Sequence, residues 1–120
     1  MRENGQAFES ASSFCEGLLK KPELYIALDF PSGKDAIRLV EKTIDINPRF
    51  KIGLELFVSE GPAFVRELSA KGAEIFLDLK FHDIPNTVGG AIRAAMQLGV
   101  KYFNVHCGGG GEMMRAAAKV

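Results

Sequence analysis

Apolar and polar positions follow a repeating order along most of the chain. Leu24, Tyr25, Ile26, Ala27 and Leu28 form a short apolar run that ends at Asp29 and meets the breakers Pro31 and Gly33. An uninterrupted run of this kind reads as a parallel strand buried on both faces. Ala36, Ile37, Leu39, Val40 and Ile44 then recur at helical spacing, with Ser32 placed as a helix cap. A second run, residues 50–54, precedes a helix predicted over about 61–71, with Phe64, Val65 and Leu68 on one face. Gly72 stands where a helix end favours a left-handed residue. Residues 73–77 form a third strand ending in Asp78. A polar stretch over 80–86 leads into a helix over about 87–98, closed by Gly99. Residues 100–105 form a fourth strand, and Met113 to Lys119 read as the start of a fourth helix.

Residues 1–22 differ from this pattern. Phe8, Phe14, Leu18 and Leu19 share one broad face, Lys20 and Lys21 suit a helix C-terminus, and Pro22 stops the helix. This predicts a leader helix over 1–22, followed by one domain over 23–120. The strand-end residues Asp29, Lys51, Asp78 and His106 are spaced by 22, 27 and 28 positions. A βα unit at that period implies parallel strands joined by right-handed crossovers. Four such units fit an open parallel sheet or half of an eight-stranded barrel.

Composition narrows the class further. Hydrophobic residues make up 47% and charged residues 25%, and 15 basic residues balance 15 acidic ones. These values disfavour disorder and a basic nucleic-acid-binding surface. No apolar run reaches the roughly 18 residues of a membrane span. The polar start of the chain carries no signal-peptide core. Cys15 and Cys107 lie far apart without CxxC spacing, which argues against a zinc site and fits ordinary buried thiols. The expectation is a soluble cytoplasmic protein that binds neither membrane nor nucleic acid.

Chemistry concentrates at the carboxyl ends of the predicted strands, where parallel α/β folds gather their loops and helix N-termini. Asp78 and Lys80 lie on the same side of a strand, and Lys51 reaches them from the neighbouring one. With Asp83 they form an expected alternating Lys-Asp-Lys-Asp array. Such an array holds ammonium groups charged between carboxylates and fixes strong fields before a substrate arrives. His82, by its strand-parity neighbours, reads as a structural or loop-ordering residue, and His106 as one that supports the site without taking part in the chemistry. The run Gly108 to Gly111 lacks the lysine and serine of a phosphate-binding loop and reads as a flexible connection.

The segment Asp78-x-Lys80-x-x-Asp83-Ile84-Pro85-x-Thr87 resembles the signature of the bacterial orotidine 5′-phosphate decarboxylases. Ala27-Leu28-Asp29, Lys51-Ile52-Gly53 and Asn104-Val105-His106 extend the resemblance over about residues 24–118. It implies a cofactor-free, metal-free (β/α)₈ TIM barrel acting in pyrimidine (UMP) biosynthesis as a homodimer with shared active sites. It further implies that Lys80 protonates C6 of the pyrimidine while Asp78 stands beside the leaving carboxylate. Lys51 would complete the charge network and contact the ribose, and Asp29 would also bind the ribose. Asp83, Ile84 and Thr87 would reach the partner's site. A complete barrel of this type takes roughly 200–250 residues, so the leader and four βα units correspond to its N-terminal half. The family's phosphate-binding loops fall in the other half, so the 120 residues alone are expected to turn over little or nothing. Two rivals remain: a magnesium-dependent sugar-phosphate decarboxylase or aldolase of the same superfamily, and a non-catalytic half-barrel.

Overall fold

A computed structural model describes residues 22–120. The predicted leader over 1–22 lies, except for Pro22, outside the described residues, as does Cys15. Pro22 lies exposed and outside any helix.

Four strands, β1 (Ile26–Ala27), β2 (Arg49–Gly53), β3 (Glu74–Phe81) and β4 (Tyr102–Val105), form one sheet in sequence order. Every neighbouring pair is parallel. Between and after them lie helices α1 (Gly33–Thr43), α2 (Leu54–Ala70), α3 (Pro85–Met96) and α4 (Gly110–Ala118). The expected βα repeat is therefore present four times.

The first strand is not buried on both faces as its apolar run predicts, since Ala27 is exposed, and the central strands are buried on one face. Phe50 and Ile52 of β2 and Ile75 and Leu77 of β3 are fully buried. They share one cluster with Ala36 and Val40 of α1, Leu56, Phe64, Val65 and Leu68 of α2, and Ala95 of α3. The alternate residues Arg49, Lys51, Glu74, Phe76 and Asp78 stay outside that core. Among the described residues, then, the helices packed on the central strands cover one sheet face. A doubly wound sheet covers both, whereas a barrel wall keeps its helices outside. The other face carries an aromatic layer, with Tyr25 edge-on to Phe76 and Tyr102 at ring-centroid distances of 6.1 and 5.9 Å.

Several element boundaries move from their predicted places. Strand β1 keeps two of the five residues expected, because it lies at the sheet edge and pairs only with β2. Helix α2 begins directly after β2, so Leu54 is already helical, and it bends at Gly61, whose φ is +74°. Gly61-Pro62 looks like a stop in sequence. Instead Gly61 takes the left-handed bend and Pro62 starts the second helical segment, where its missing N–H costs nothing. Gly72 and Gly99 have φ of +93° and +76°, as expected of helix ends.

Ser32 occupies the cap position of α1 without a capping hydrogen bond, and its Oγ donates to Asp35 at 3.1 Å. The cap comes from α2, where Glu60 Oε1 accepts the Gly33 N–H at 2.7 Å. The glycine run is not a loose connection: Cys107–Gly109 form a 3₁₀ turn, and Gly110 and Gly111 open α4. Cys107 lies exposed on that turn, not buried as expected. No helix among the described residues is long and apolar enough to cross a membrane.

Candidate active site

Three neighbouring strands supply the candidate residues at their carboxyl ends. Lys51 is in β2, Asp78 and Lys80 are in β3, and Asp29 follows β1. Lys51 Nζ lies 3.5 Å from Asp29 Oδ1 and 3.2 Å from Asp78 Oδ2. Lys80 Nζ donates to Asp78 Oδ1 at 2.6 Å. The charges thus alternate along Asp29, Lys51, Asp78 and Lys80. The register explains the reach. Gly53 pairs with Asp78 and Lys51 sits two residues below, so the long lysine stem rises to carboxylate level. A Cβ at Gly53 would already touch Asp29 Oδ1 and Lys51 Nζ, at 3.6 and 3.7 Å.

The members differ in exposure. The Asp78 side chain is 12% exposed and that of Lys51 25%, while Asp29 and Lys80 reach 70% and 61%. The hydrogen bond from Lys80, helped by those from Asn104 and Lys51, outweighs burial and lowers the Asp78 pKa to about 2. Burial works against the charged form of Lys51, but its bonds to Asp78 and Asp29 prevail and raise its pKa above the usual lysine value. The centre therefore holds a carboxylate and a partly buried ammonium ionised near neutrality, with a second ammonium offered to solvent.

Strand β3 runs three residues past its predicted end at Asp78, and Lys80 still belongs to it. Lys80 has φ of +50°, the one positive φ at a non-glycine among the described residues. Backbone strain of this kind clusters at functional sites.

Asp83, Ile84 and Thr87 follow β3, all three exposed, with Ile84 at the cap of α3 and Thr87 in its first turn. Asp83 Oδ1 accepts the Ile84 N–H at 2.7 Å. Among the described residues, no ion pair joins Asp83 to the lysines, so the fourth charge within the chain is Asp29. Ile84 is 65% exposed, large for an isoleucine. Asp83, Ile84 and Pro85 line an open groove with His82, Gly108 and Gly109. The rings of His82 and His106 stack at 4.7 Å beside it, and His106 Nδ1 accepts the Gly108 N–H at 3.0 Å. The two rings thus join the end of β3 to the turn that follows β4.

One residue of the site was missed from sequence. Asn104 of β4 donates from Nδ2 to Asp78 Oδ1 at 2.7 Å and accepts the Lys80 N–H at 2.8 Å. Its signal was strand parity: a polar residue between the apolar Phe103 and Val105, on the strand beside β3.

A parallel βα sheet with a lysine–aspartate cluster at its carboxyl ends makes this an α/β protein with a charged candidate site. The model of the orotidine 5′-phosphate decarboxylase / HUMPS family matches residues 22–120, and the chain belongs to that family. Orotidine 5′-phosphate decarboxylase of Saccharophagus degradans is 52% identical over 96 residues, covering 80% of this chain and 40% of that protein. The Escherichia coli enzyme of the same name is 48% identical over 108 residues, covering 90% and 44%. Among solved structures, orotidine 5′-phosphate decarboxylase from Lactobacillus acidophilus superposes with a TM-score of 0.74 at 35% identity, over 81% of this chain and 44% of that one. An uncharacterized conserved protein from Geobacillus kaustophilus gives 0.75 at 43%, over 79% and 44%. The chain thus spans less than half the length of these relatives.

Proposed function

We propose that residues 23–120 form the first half of a (β/α)₈ barrel and carry the charged centre of an orotidine 5′-phosphate decarboxylase of pyrimidine biosynthesis. The observation that carries this reading is the continuous Asp29–Lys51–Asp78–Lys80 chain at the carboxyl ends of three adjacent strands. In the reaction the bond between C6 and the carboxylate breaks, carbon dioxide leaves, and the electron pair stays on C6. The Lys80 ammonium stabilises that developing anion and then gives C6 its proton. Asp78 keeps Lys80 beside the reacting carbon and stands against the substrate carboxylate. Lys51 and Asp29 hold the ribose hydroxyls. Stabilisation of the anion is the larger effect, because a fixed ammonium gains most where charge appears.

Asp83, Ile84 and Thr87 serve a second subunit's site. The Asp83 carboxylate, turned to the Ile84 N–H, and the exposure of Ile84 support that role. Expressed as these 120 residues alone, the chain is expected to turn over little substrate, since the resemblance puts the phosphate-binding loops in the other half of the barrel. Lys80→Ala tests the reading in the assembled protein. Turnover should fall by about a thousand-fold or more, with product-nucleotide binding still measurable. Near-normal turnover in this variant overturns the assignment. Chelator separates the rival chemistry: decarboxylation of the nucleotide should continue unchanged, whereas a magnesium-dependent sugar-phosphate enzyme loses activity.

A further inference from the structure

Strands β3 and β4 do not stay in step. Leu77 pairs with Phe103 and Phe81 with Val105, so four steps along β3 match two along β4. The surplus residues of β3, Lys80 among them, lose their regular ladder partners there, as in a bulge. Asn104 is the single β4 residue between the two paired positions, and its side chain fills the gap. Its Oδ1 accepts the Lys80 N–H, and its Nδ2 donates to Asp78 Oδ1, the same oxygen that receives Lys80 Nζ. The amide has one possible sense here, because a backbone N–H only donates and a carboxylate only accepts.

We propose that Asn104 is a positioning residue that clamps the β3 bulge and thereby sets Lys80 against Asp78. This rests on the reading of Lys80 and Asp78 as the chemical pair. One amide performs two tasks. Its oxygen holds the backbone of a lysine in a left-handed conformation that the side chain does not favour. Its nitrogen fixes the carboxylate so that Oδ1 faces Lys80 while Oδ2 remains for Lys51. Without it the ammonium and carboxylate keep their identities but lose their fixed relation, and preorganised sites are sensitive to errors of that size.

Two variants separate the tasks. Asn104→Ala removes both bonds. Asn104→Asp is nearly isosteric and keeps the acceptor for the Lys80 N–H, but it turns an anion towards Asp78. Steady-state kinetics on the assembled protein should show kcat lowered by about 10- to 100-fold in Asn104→Ala, the loss of one or two charge-assisted bonds, with KM within about twofold. The Asp78 carboxyl, followed by ¹³C NMR, should titrate at higher pH in both variants, and further in Asn104→Asp. A residue that only stabilised the sheet would lower the melting temperature and leave that titration in place. Unchanged kcat, or an unmoved Asp78 titration in both variants, overturns the proposal. Absent turnover in the unsubstituted protein would count against the decarboxylase reading, and the carboxyl titration would still decide the role of Asn104.

Discussion

The two ends of the sheet carry charge networks built on the same plan and used differently. At the amino end, Glu74 Oε1 receives Tyr25 Oη at 2.9 Å, Arg49 Nε at 3.0 Å and Lys101 Nζ at 2.9 Å. Glu23 closes the group, 3.9 Å from Arg49 and 3.6 Å from Lys101. At the carboxyl end Asp78 plays the corresponding part, with Lys51, Lys80 and Asn104. The Lys101 bond lowers the Glu74 pKa against the opposing effect of burial. Burial and the Glu74 carboxylate push the Tyr25 hydroxyl up. Glu74 draws donors from all three other strands or their starts, which ties the sheet together across its width. The carboxyl end instead contains the left-handed Lys80 and leaves its ammonium largely open to solvent. One network is spent on holding strands. The other keeps a donor available, in line with the division of parallel barrels into a stabilising and a reactive end.

Substitution of the two central carboxylates should separate those roles most clearly. Asp78→Ala is expected to reduce turnover by about a thousand-fold or more, a cost of ~4 kcal/mol or more in the transition state. Glu74→Ala should leave turnover per folded molecule nearly unchanged and lower unfolding stability by about 2 kcal/mol, the net worth of its hydrogen bonds, as read by denaturant titration. A smaller effect follows from the backbone of Lys80. Lys80→Gly should be about 1 kcal/mol more stable than Lys80→Ala, because glycine accepts positive φ freely, and both should be inactive.

The pH dependence of stability is gentler still. Glu74 and Asp78 both titrate lower in the folded chain than unfolded. Their contribution is therefore complete above their unfolded values, about pH 4–4.5, and is lost as pH falls through the folded ones. The Asp78 share should persist down towards pH 2, so Asp78→Asn should flatten the acid end of a stability–pH curve. Lys51 is shifted upward, so its share is complete below its unfolded value and is lost as pH rises through the higher folded one.

Much of this was legible from residues alone, for reasons that differ by element. The four βα units could be read because buried strand residues and helix faces impose periodicity, and because Gly72 and Gly99 mark helix ends through their left-handed φ. Asp78 and Lys80 could be placed together by strand parity, and the distance of 2.6 Å bears out their proximity. Burial on a single face could not be read. Tyr25, Ala27 and Phe76 are apolar whether or not another layer covers them. The first part of α2 was hidden by Gly61-Pro62, a pair that can stop a helix or bend it. Asp83 was adjacent in sequence to the array but turns its carboxylate to the Ile84 N–H, and Asp29, farther away in sequence, takes the expected fourth place. Asn104 was missed because its importance depends on a bulge, and a change of register leaves little trace in one strand's sequence.

Lys80 and Lys101 make a matched pair: each ammonium binds the central carboxylate of its network, at 2.6 and 2.9 Å. The most direct measurement is the rate of carbon dioxide release from orotidine 5′-phosphate by Lys80→Ala and Lys101→Ala, each normalised to folded protein. Loss of release in Lys80→Ala alone, with Lys101→Ala within about threefold of the unsubstituted protein, is the predicted result, since exposed charges far from the chemistry act mainly on stability. Equal losses in the two variants, or full activity in Lys80→Ala, would contradict the division of the sheet into a structural and a reactive end.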